Sequence, residues 1–362
     1  MCSDSAHKTP DKTDKITHIM KNLKIAVVGA TGAVGETMLA ILAENGFENC
    51  KVHALASERS LGKTADFGKR FLAVEVLDDF DFGGVDYALF SAGAEISLKH
   101  VPTASEAGCI VIDNTSAFRL DPAIPLLVPE VNGDLLDDVA AGDIIANPNC
   151  STIQLLVAIA PIHAAAGIER VNVATYQSVS GAGNKGMEEL ARQTMDRLGF
   201  KDVKPSVFAQ PIAFNAIPMI DEIQDNDYTR EEMKLHWETQ KILRDDHIAV
   251  NATAVRVPVF FGHSEAVHLE TSRDISMDEV REALQRAPGL VLVDDKDPQA
   301  QPTAVTHAAG KDAVFVSRLR RDHTNPRGIN LWVVADNVRK GAALNAVQIL
   351  KYIVARKMPV ET

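Results

Sequence analysis

The chain has 362 residues, 46% of them apolar, which is ordinary for a globular protein and more than one hydrophobic core usually serves. Its 37 basic residues stand against 49 acidic ones, a net charge of −12 with no lysine- or arginine-rich block, so a nucleic-acid surface is excluded. No apolar run approaches the ~20 residues that cross a bilayer, and residues 1–20 are polar without a signal-peptide core, so they read as a disordered extension and the protein as one that enters no membrane.

In chain order, apolar runs at 25–29, 52–56, 86–91 and 110–113 alternate with helical patterns, the first over 36–45. That alternation predicts βαβ units on a parallel sheet. Between the first strand and the first helix lies Gly29-Ala30-Thr31-Gly32-Ala33-Val34-Gly35. Glycines there let the backbone turn tightly and approach a pyrophosphate, whose charge the helix N-terminus favours. The spacing is GxxGxxG rather than GxGxxG, and a structural turn in a flavodoxin-like sheet is the alternative reading. The second run passes into Ser57-Glu58-Arg59-Ser60-Leu61-Gly62-Lys63. An NAD enzyme usually holds the ribose 2′-hydroxyl with an acid at this point; two cations and two hydroxyls suit a 2′-phosphate instead. The segment favours NADP, and Glu58 keeps NAD open.

The four cysteines, Cys2, Cys50, Cys109 and Cys150, form no CxxC pair, so neither a disulfide framework nor a metal site is expected, in keeping with a reducing cytoplasm. Cys150 sits in Asn147-Pro148-Asn149-Cys150-Ser151-Thr152, after turn formers and ahead of an apolar, helix-like run at 153–160. A thiol in a helix's first turn lies beside unpaired N–H groups and the positive end of the dipole, both of which favour a nucleophilic thiolate. The alternative is a small buried hydrophobe.

Beyond Cys150 the pattern changes. Longer runs at 171–180, 253–261, 266–271, 314–320 and 329–335, several with alternating faces, predict a mostly antiparallel sheet in a second domain. Residues 228–243 read as a charged helix that puts Glu231 and Lys234 on one face; taken alone, these are a solvated ion pair. In 341–357, Leu344, Val347, Leu350 and Val354 recur at helical spacing, and so late a helix is expected to pack back onto the first domain. The expected division is a Rossmann-type domain from 21–148 plus 338–362, and an α+β domain from 149–337.

Further motifs follow in order: Asp113-Asn114-Thr115-Ser116-Ala117-Phe118-Arg119, Val128-Pro129-Glu130-Val131-Asn132, Tyr176-Gln177-Ser178-Val179-Ser180-Gly181-Ala182-Gly183, Glu231-Glu232-Met233-Lys234, Arg256-Val257-Pro258, Gly262-His263-Ser264-Glu265 and Asp336-Asn337. With the glycine loop, the 57–63 segment and the Cys150 segment, they make the chain, from residue 22 to 357, resemble the aspartate-semialdehyde dehydrogenases. The resemblance implies NADPH-dependent reductive dephosphorylation of L-aspartyl 4-phosphate to L-aspartate 4-semialdehyde, on the branch leading to lysine, threonine and methionine.

It also implies roles. Cys150 forms a thioester, a far better hydride acceptor than a carboxylate. His263 is the general acid/base, with a pKa naturally near neutrality. Gln177 orients the substrate, and Asn149 helps to position the thioester carbonyl. Arg256 clamps the α-carboxylate through two parallel N–H donors, a geometry lysine lacks. Glu231 meets the substrate amino group, while Arg119, Asn114 and Lys234 hold inorganic phosphate. Gly29, Thr31, Gly32, Ala33 and Val34, with Ser57, Arg59 and Ser60, take one end of the cofactor; Ser180, Gly181 and Asn337 take the nicotinamide end. The large second domain with extended strands suggests a homodimer joined sheet to sheet, as in the family, with a tetramer left open.

Two rivals share the two-domain plan or the cysteine chemistry: N-acetyl-glutamyl-phosphate reductase, whose nucleophile follows Gly-Cys-Tyr-Pro, and glyceraldehyde-phosphate dehydrogenase. A catalytically silent NADP-binding paralogue is the non-enzyme alternative, and loss of Cys150 or His263 would mark it.

Overall fold

The computed structural model describes residues 22–357, so the extension at 1–20 lies outside the described residues. The first sheet contains β1 (Lys24–Val28), β2 (Lys51–Ala56), β3 (Thr64–Phe67), β4 (Arg70–Val76), β5 (Tyr87–Phe90), β6 (Ile110–Asp113) and β7 (Ile144–Ala146), in the order β3-β4-β2-β1-β5-β6-β7. Every pairing is parallel except β3 on β4. The four strands expected from the apolar runs are β1, β2, β5 and β6. The β3–β4 hairpin was not foreseen because β3 buries only Ala65 and Phe67 of its four residues.

Because β1 is followed by β2 on one side and flanked by β5 on the other, the strand order reverses at β1. A crevice opens there, beyond the carboxyl ends of the strands. Helix α1 (Ala33–Leu42) starts in that crevice and passes into a wider turn, Ala43–Phe47, in which Gly46 takes φ +90°. Only glycine adopts that conformation without strain, so the regular helix stops before residue 45. Helix α2 (Ala94–Glu106) follows β5 on the other side of the crevice.

The second half begins with α3 (Cys150–Ala166), β8 (Ile168–Gln177), α4 (Gly183–Leu198), α5 (Arg230–Leu243), β9 (Ala249–Arg256) and β10 (His263–Thr271). It continues with α6 (Met277–Arg286), β11 (Leu290–Val293), β12 (Val314–Arg321), β13 (Gly328–Ala335) and α7 (Leu344–Lys357). Its sheet runs β11-β12-β13-β10-β8-β9. The three inner pairings are antiparallel, and the two outer ones, β8–β9 and β11–β12, are parallel. The β8–β9 pairing matters for the site, because it brings the carboxyl ends Gln177 and Arg256 into register. The run expected at 253–261 is β9, but the strand stops at Arg256, since Pro258 has no N–H to extend the ladder.

Helix α3 is apolar nearly all round and correspondingly buried, with Ile153, Leu155, Leu156 and Ile159 in the core that β8, β10, β13, α5 and α6 share. Helix α7 joins the other core: Val347, Leu350, Ile353 and Val354 pack with Ile25 and Val27 of β1 and Ile41 of α1. Each such buried aliphatic is worth about 1.5–3 kcal/mol at most, so the last segment is a structural part of the first layer. Among the described residues no helix is long and apolar enough to cross a membrane.

Candidate active site

Four strand ends, one strand start and one helix start build the site. β6 and β7 pair Asp113 with Ala146, so the residues that follow, Asn114 and Asn147, emerge side by side. Three residues later the chain enters α3 at Cys150. Gln177 ends β8, Arg256 ends β9, and His263 opens β10. These groups, with Arg119, Glu231 and Lys234, converge on a cleft; Asn114, Cys150, Gln177, Arg256, Arg119, Glu231 and Lys234 line a cavity of about 310 Å³ together with Ser91, Gly93 and Gly181. A larger groove of about 1100 Å³ lies beside α1 and contains neither Cys150 nor His263. Chemistry, not volume, marks the smaller one.

Cys150 Sγ lies 3.2 Å from His263 Nε2. The imidazole is completely buried. Its Nδ1 lies 3.1 Å from the Ser178 backbone nitrogen and at the same distance from Ser178 Oγ. Ser178 therefore serves both tautomers: its N–H donates to a bare Nδ1, and its Oγ accepts from a protonated one. Burial and the nearby Arg256 charge pull the His263 pKa down to about 3, so the resting ring is neutral.

The thiolate expected at the start of α3 is not the resting form. Loss of solvation, with the Glu231 charge added, pushes the Cys150 thiol up to about 12, against the pull of Arg256, Arg119 and Lys234. The dipole argument was overruled for a second reason: the Asn149 side chain already accepts from the Ser151 N–H at 3.0 Å, which uses one of the donors expected to face the sulfur.

Glu231 and Lys234 are not a solvated pair. Glu231 is buried and accepts from Lys234 Nζ at 2.9 Å, Gln177 Nε2 at 3.1 Å and Asn149 Nδ2 at 3.1 Å. Burial alone would raise its pKa, but Lys234 and these amides hold it down to about 2, a permanent negative charge. Lys234 also meets Asp221 at 3.0 Å. Arg256 donates to the Ser178 carbonyl at 2.7 Å, which aims the guanidinium along the cleft. Gly181 is packed against it: a Cβ there would come within 2.8 Å of Arg256 Nη1.

Glu238, which the sequence reading passed over, anchors the other end. It is 1% exposed; Oε1 meets Arg119 Nη1 at 3.1 Å and Oε2 accepts the Asn149 backbone N–H at 2.7 Å. Arg119 also donates to the Asn114 carbonyl at 2.9 Å. One carboxylate thus ties the nucleophile's turn to the cation beside it. A signal was present: Glu231, Leu235, Glu238 and Ile242 recur at helical spacing on the face of α5 that packs inward, so acids occupy core positions.

The glycine loop has the features a dinucleotide requires. Gly29 takes φ +87°, and a Cβ on it would lie 3.0 Å from Ser91; a Cβ on Gly35 would lie 2.1 Å from the Gly29 carbonyl oxygen. Gly32 caps α1 without a side chain, so the helix N-terminus, with Ala33 and Val34, is uncovered. Thr31 Oγ1 reaches Ser60 Oγ at 3.3 Å, joining this loop to the turn after β2, where Ser57 and Arg59 are exposed. Ser180 and Asn337 lie behind His263: Asn337 Oδ1 accepts from the Gly262 N–H at 2.9 Å, and its amide bonds Ser180 Oγ at 3.0 Å.

Residues 24–139 match the family described as semialdehyde dehydrogenase, NAD binding domain, and residues 159–340 match semialdehyde dehydrogenase, dimerisation domain. The fold is thus that of a semialdehyde dehydrogenase. The aspartate-semialdehyde dehydrogenase of Legionella pneumophila is 54% identical over 333 residues, covering 92% of this chain and 96% of that one. That of Aquifex aeolicus is 48% identical, with coverages of 91% and 98%. The crystal structure of aspartate semialdehyde dehydrogenase II complexed with ASA from Vibrio cholerae matches with a TM-score of 0.89 at 54% identity, covering 92% of this chain and 98% of that one. The chain belongs to the aspartate-semialdehyde dehydrogenase family, oxidoreductases of amino-acid biosynthesis.

Proposed function

We propose that the enzyme works through a thioester on Cys150, with NADPH as reductant and phosphate as the leaving group. The observation that carries this reading is the 3.2 Å contact between sulfur and imidazole, in a cleft with cations at both ends. Sγ attacks the acyl carbon of L-aspartyl 4-phosphate while its proton passes to His263 Nε2, the Nδ1–H of that ring being received by Ser178 Oγ. The bond from carbon to the phosphate oxygen breaks, and Arg119, Asn114 and Lys234 hold the departing anion. A neutral thiol losing its proton during attack is suited to a nucleophile that must not ionise in an empty site. Bound in the crevice, NADPH supplies the hydride. The thiohemiacetal oxyanion then expels sulfur, which recovers its proton from His263, and L-aspartate 4-semialdehyde leaves.

Arg256 clamps the α-carboxylate, and Glu231, ionised at any working pH, takes the ammonium group; the substrate is thereby oriented along Gln177. Ser57, Arg59 and Ser60 favour the 2′-phosphate of NADP over NAD. Of the described residues, 22–148 plus 338–357 form the dinucleotide domain and 149–337 the catalytic one, which joins two copies into a cytoplasmic homodimer.

The test mixes aspartate semialdehyde, NADP and inorganic phosphate and follows NADPH formation. The expected signal requires phosphate. A rate independent of phosphate would remove Arg119, Asn114 and Lys234 from their role, and a rate equal with NAD would remove Arg59 from its own.

A further inference from the structure

Behind the anion end of the cleft, a chain of side-chain hydrogen bonds runs inward to a completely buried lysine. Lys340 Nζ lies 2.8 and 2.7 Å from the two Glu130 carboxylate oxygens and donates to Asn345 Oδ1 at 2.9 Å. Asn345 Nδ2 donates to Asn147 Oδ1 at 2.7 Å and to the Leu127 carbonyl at 2.9 Å. Asn147 Nδ2 donates in turn to Asn114 Oδ1 at 2.6 Å. Asn345 and Asn147 are 0% exposed, while Asn114 lines the cleft.

The direction of this chain is not arbitrary. An ammonium group has donors and no acceptor, so the amide facing it must present oxygen. Asn345 then has only its NH₂ to offer Asn147, which must answer with oxygen and offer its own NH₂ to Asn114. Reversing any one amide would set two NH₂ groups or two oxygens against each other inside the protein. The Leu127 carbonyl beside Asn345 and the Ala342 carbonyl, 3.4 Å from Asn147 Nδ2, impose the same sense.

We infer that Asn147, oriented by Asn345 and Lys340, is a positioning residue that fixes the Asn114 amide with Nδ2, not Oδ1, toward the cleft. An anion there meets an N–H donor beside the Arg119 guanidinium. With the amide free to rotate, half of its orientations would point a carbonyl oxygen at the same anion. This rests on the reading that phosphate binds at Asn114 and Arg119, and it adds the device that gives the site its sign.

The test is Asn147→Leu, close in size and without polar atoms, read by separate Michaelis constants in the direction that consumes phosphate. The phosphate KM is expected to rise about tenfold or more, the loss of one hydrogen bond to an anion. The semialdehyde KM, the NADP affinity and the rate of Cys150 alkylation are expected to stay within about twofold of the parent. Asn147→Ser, smaller and still polar, is read in the same way should the leucine variant not fold. An unchanged phosphate KM overturns the inference, and so does a uniform rise in every constant with slowed alkylation, which marks a merely structural residue. If the parent enzyme itself turns over without phosphate, the reading of the anion end falls first and the inference with it.

Discussion

Gly341 offers the sharpest test of how tightly the nucleophile is held. It sits in the turn Arg339–Ala343 that leads into α7, and a Cβ at that position would lie 2.8 Å from the Cys150 Cβ and 3.2 Å from its Cα. Carbon atoms rest at about 3.5–4.0 Å, so Gly341→Ala forces the two backbones apart by roughly 0.7 Å or more. Neither side yields freely: the Gly341 N–H is bonded to the Asp336 carbonyl at 3.0 Å, and the Asn149 N–H to Glu238 at 2.7 Å. In an unconstrained helical turn this substitution stabilises a protein by about 0.4–1 kcal/mol. Here overpacking is expected to cost about 1–3 kcal/mol instead, reversing the sign. Displacing Sγ from its 3.2 Å contact with His263 by most of an ångström is expected to lower kcat by on the order of 100-fold. The assay is kcat at saturating substrates together with the thermal midpoint and NADP affinity, the last of which stays unchanged. A stabilised variant with kcat within threefold of the parent would refute the claim that Gly341 is required by close approach to Cys150.

Arg256→Lys keeps the charge but loses the planar fork, so the semialdehyde KM is expected to rise at least tenfold with NADP binding intact; a near-normal KM would place the carboxylate elsewhere. Glu238→Ala leaves the buried Arg119 charge and the Asn149 N–H without their partner, a loss of about 3–5 kcal/mol, to be measured by denaturant unfolding. Alkylation of Cys150 in the ligand-free enzyme is expected to accelerate through pH 9 without levelling off, because burial holds its pKa near 12; a plateau near neutrality would mean a resting thiolate. Since the folded state lowers His263 from 6.5 to about 3, the unfolded chain takes up the proton first as pH falls, and stability is lost progressively from about pH 6.5 downward. Glu231, lowered from 4.5 to about 2, adds to that loss below pH 4.5. His263→Gln is expected to remove the upper part of the decline in the thermal midpoint; an unchanged profile would show that His263 is not buried neutral.

What was legible in the chain alone is what short stretches can encode. The glycine loop after an apolar run, the turn before Cys150 and the period of α7 each depend on neighbours within a few residues, and each has its expected place. Cys150, His263, Arg256, Glu231 and Lys234 were singled out by the family resemblance, and folding gathers them around one cleft; taken alone, Glu231 and Lys234 read as a solvated pair. Their environment was not legible. Whether Glu231 and Lys234 face water or the sulfur depends on which side of α5 packs inward, and that is settled by β9, α3 and the short turn Pro129–Asn132, the last two many tens of residues distant in sequence. The ionisation of Cys150 turned on the same kind of fact: the local signal at the start of α3 favours a thiolate, while the desolvation that opposes it comes from segments brought together only by folding. Glu238, Asn147, Lys340 and Gly341 were invisible for a related reason. An acid on a charged helix, an asparagine in a turn, a lysine and a glycine are unremarkable in sequence, and they acquire function solely from distances of about 3 Å to residues 89 to 210 positions away. Pattern along the chain determines which groups are available; packing across it decides which of them are charged, and what they touch.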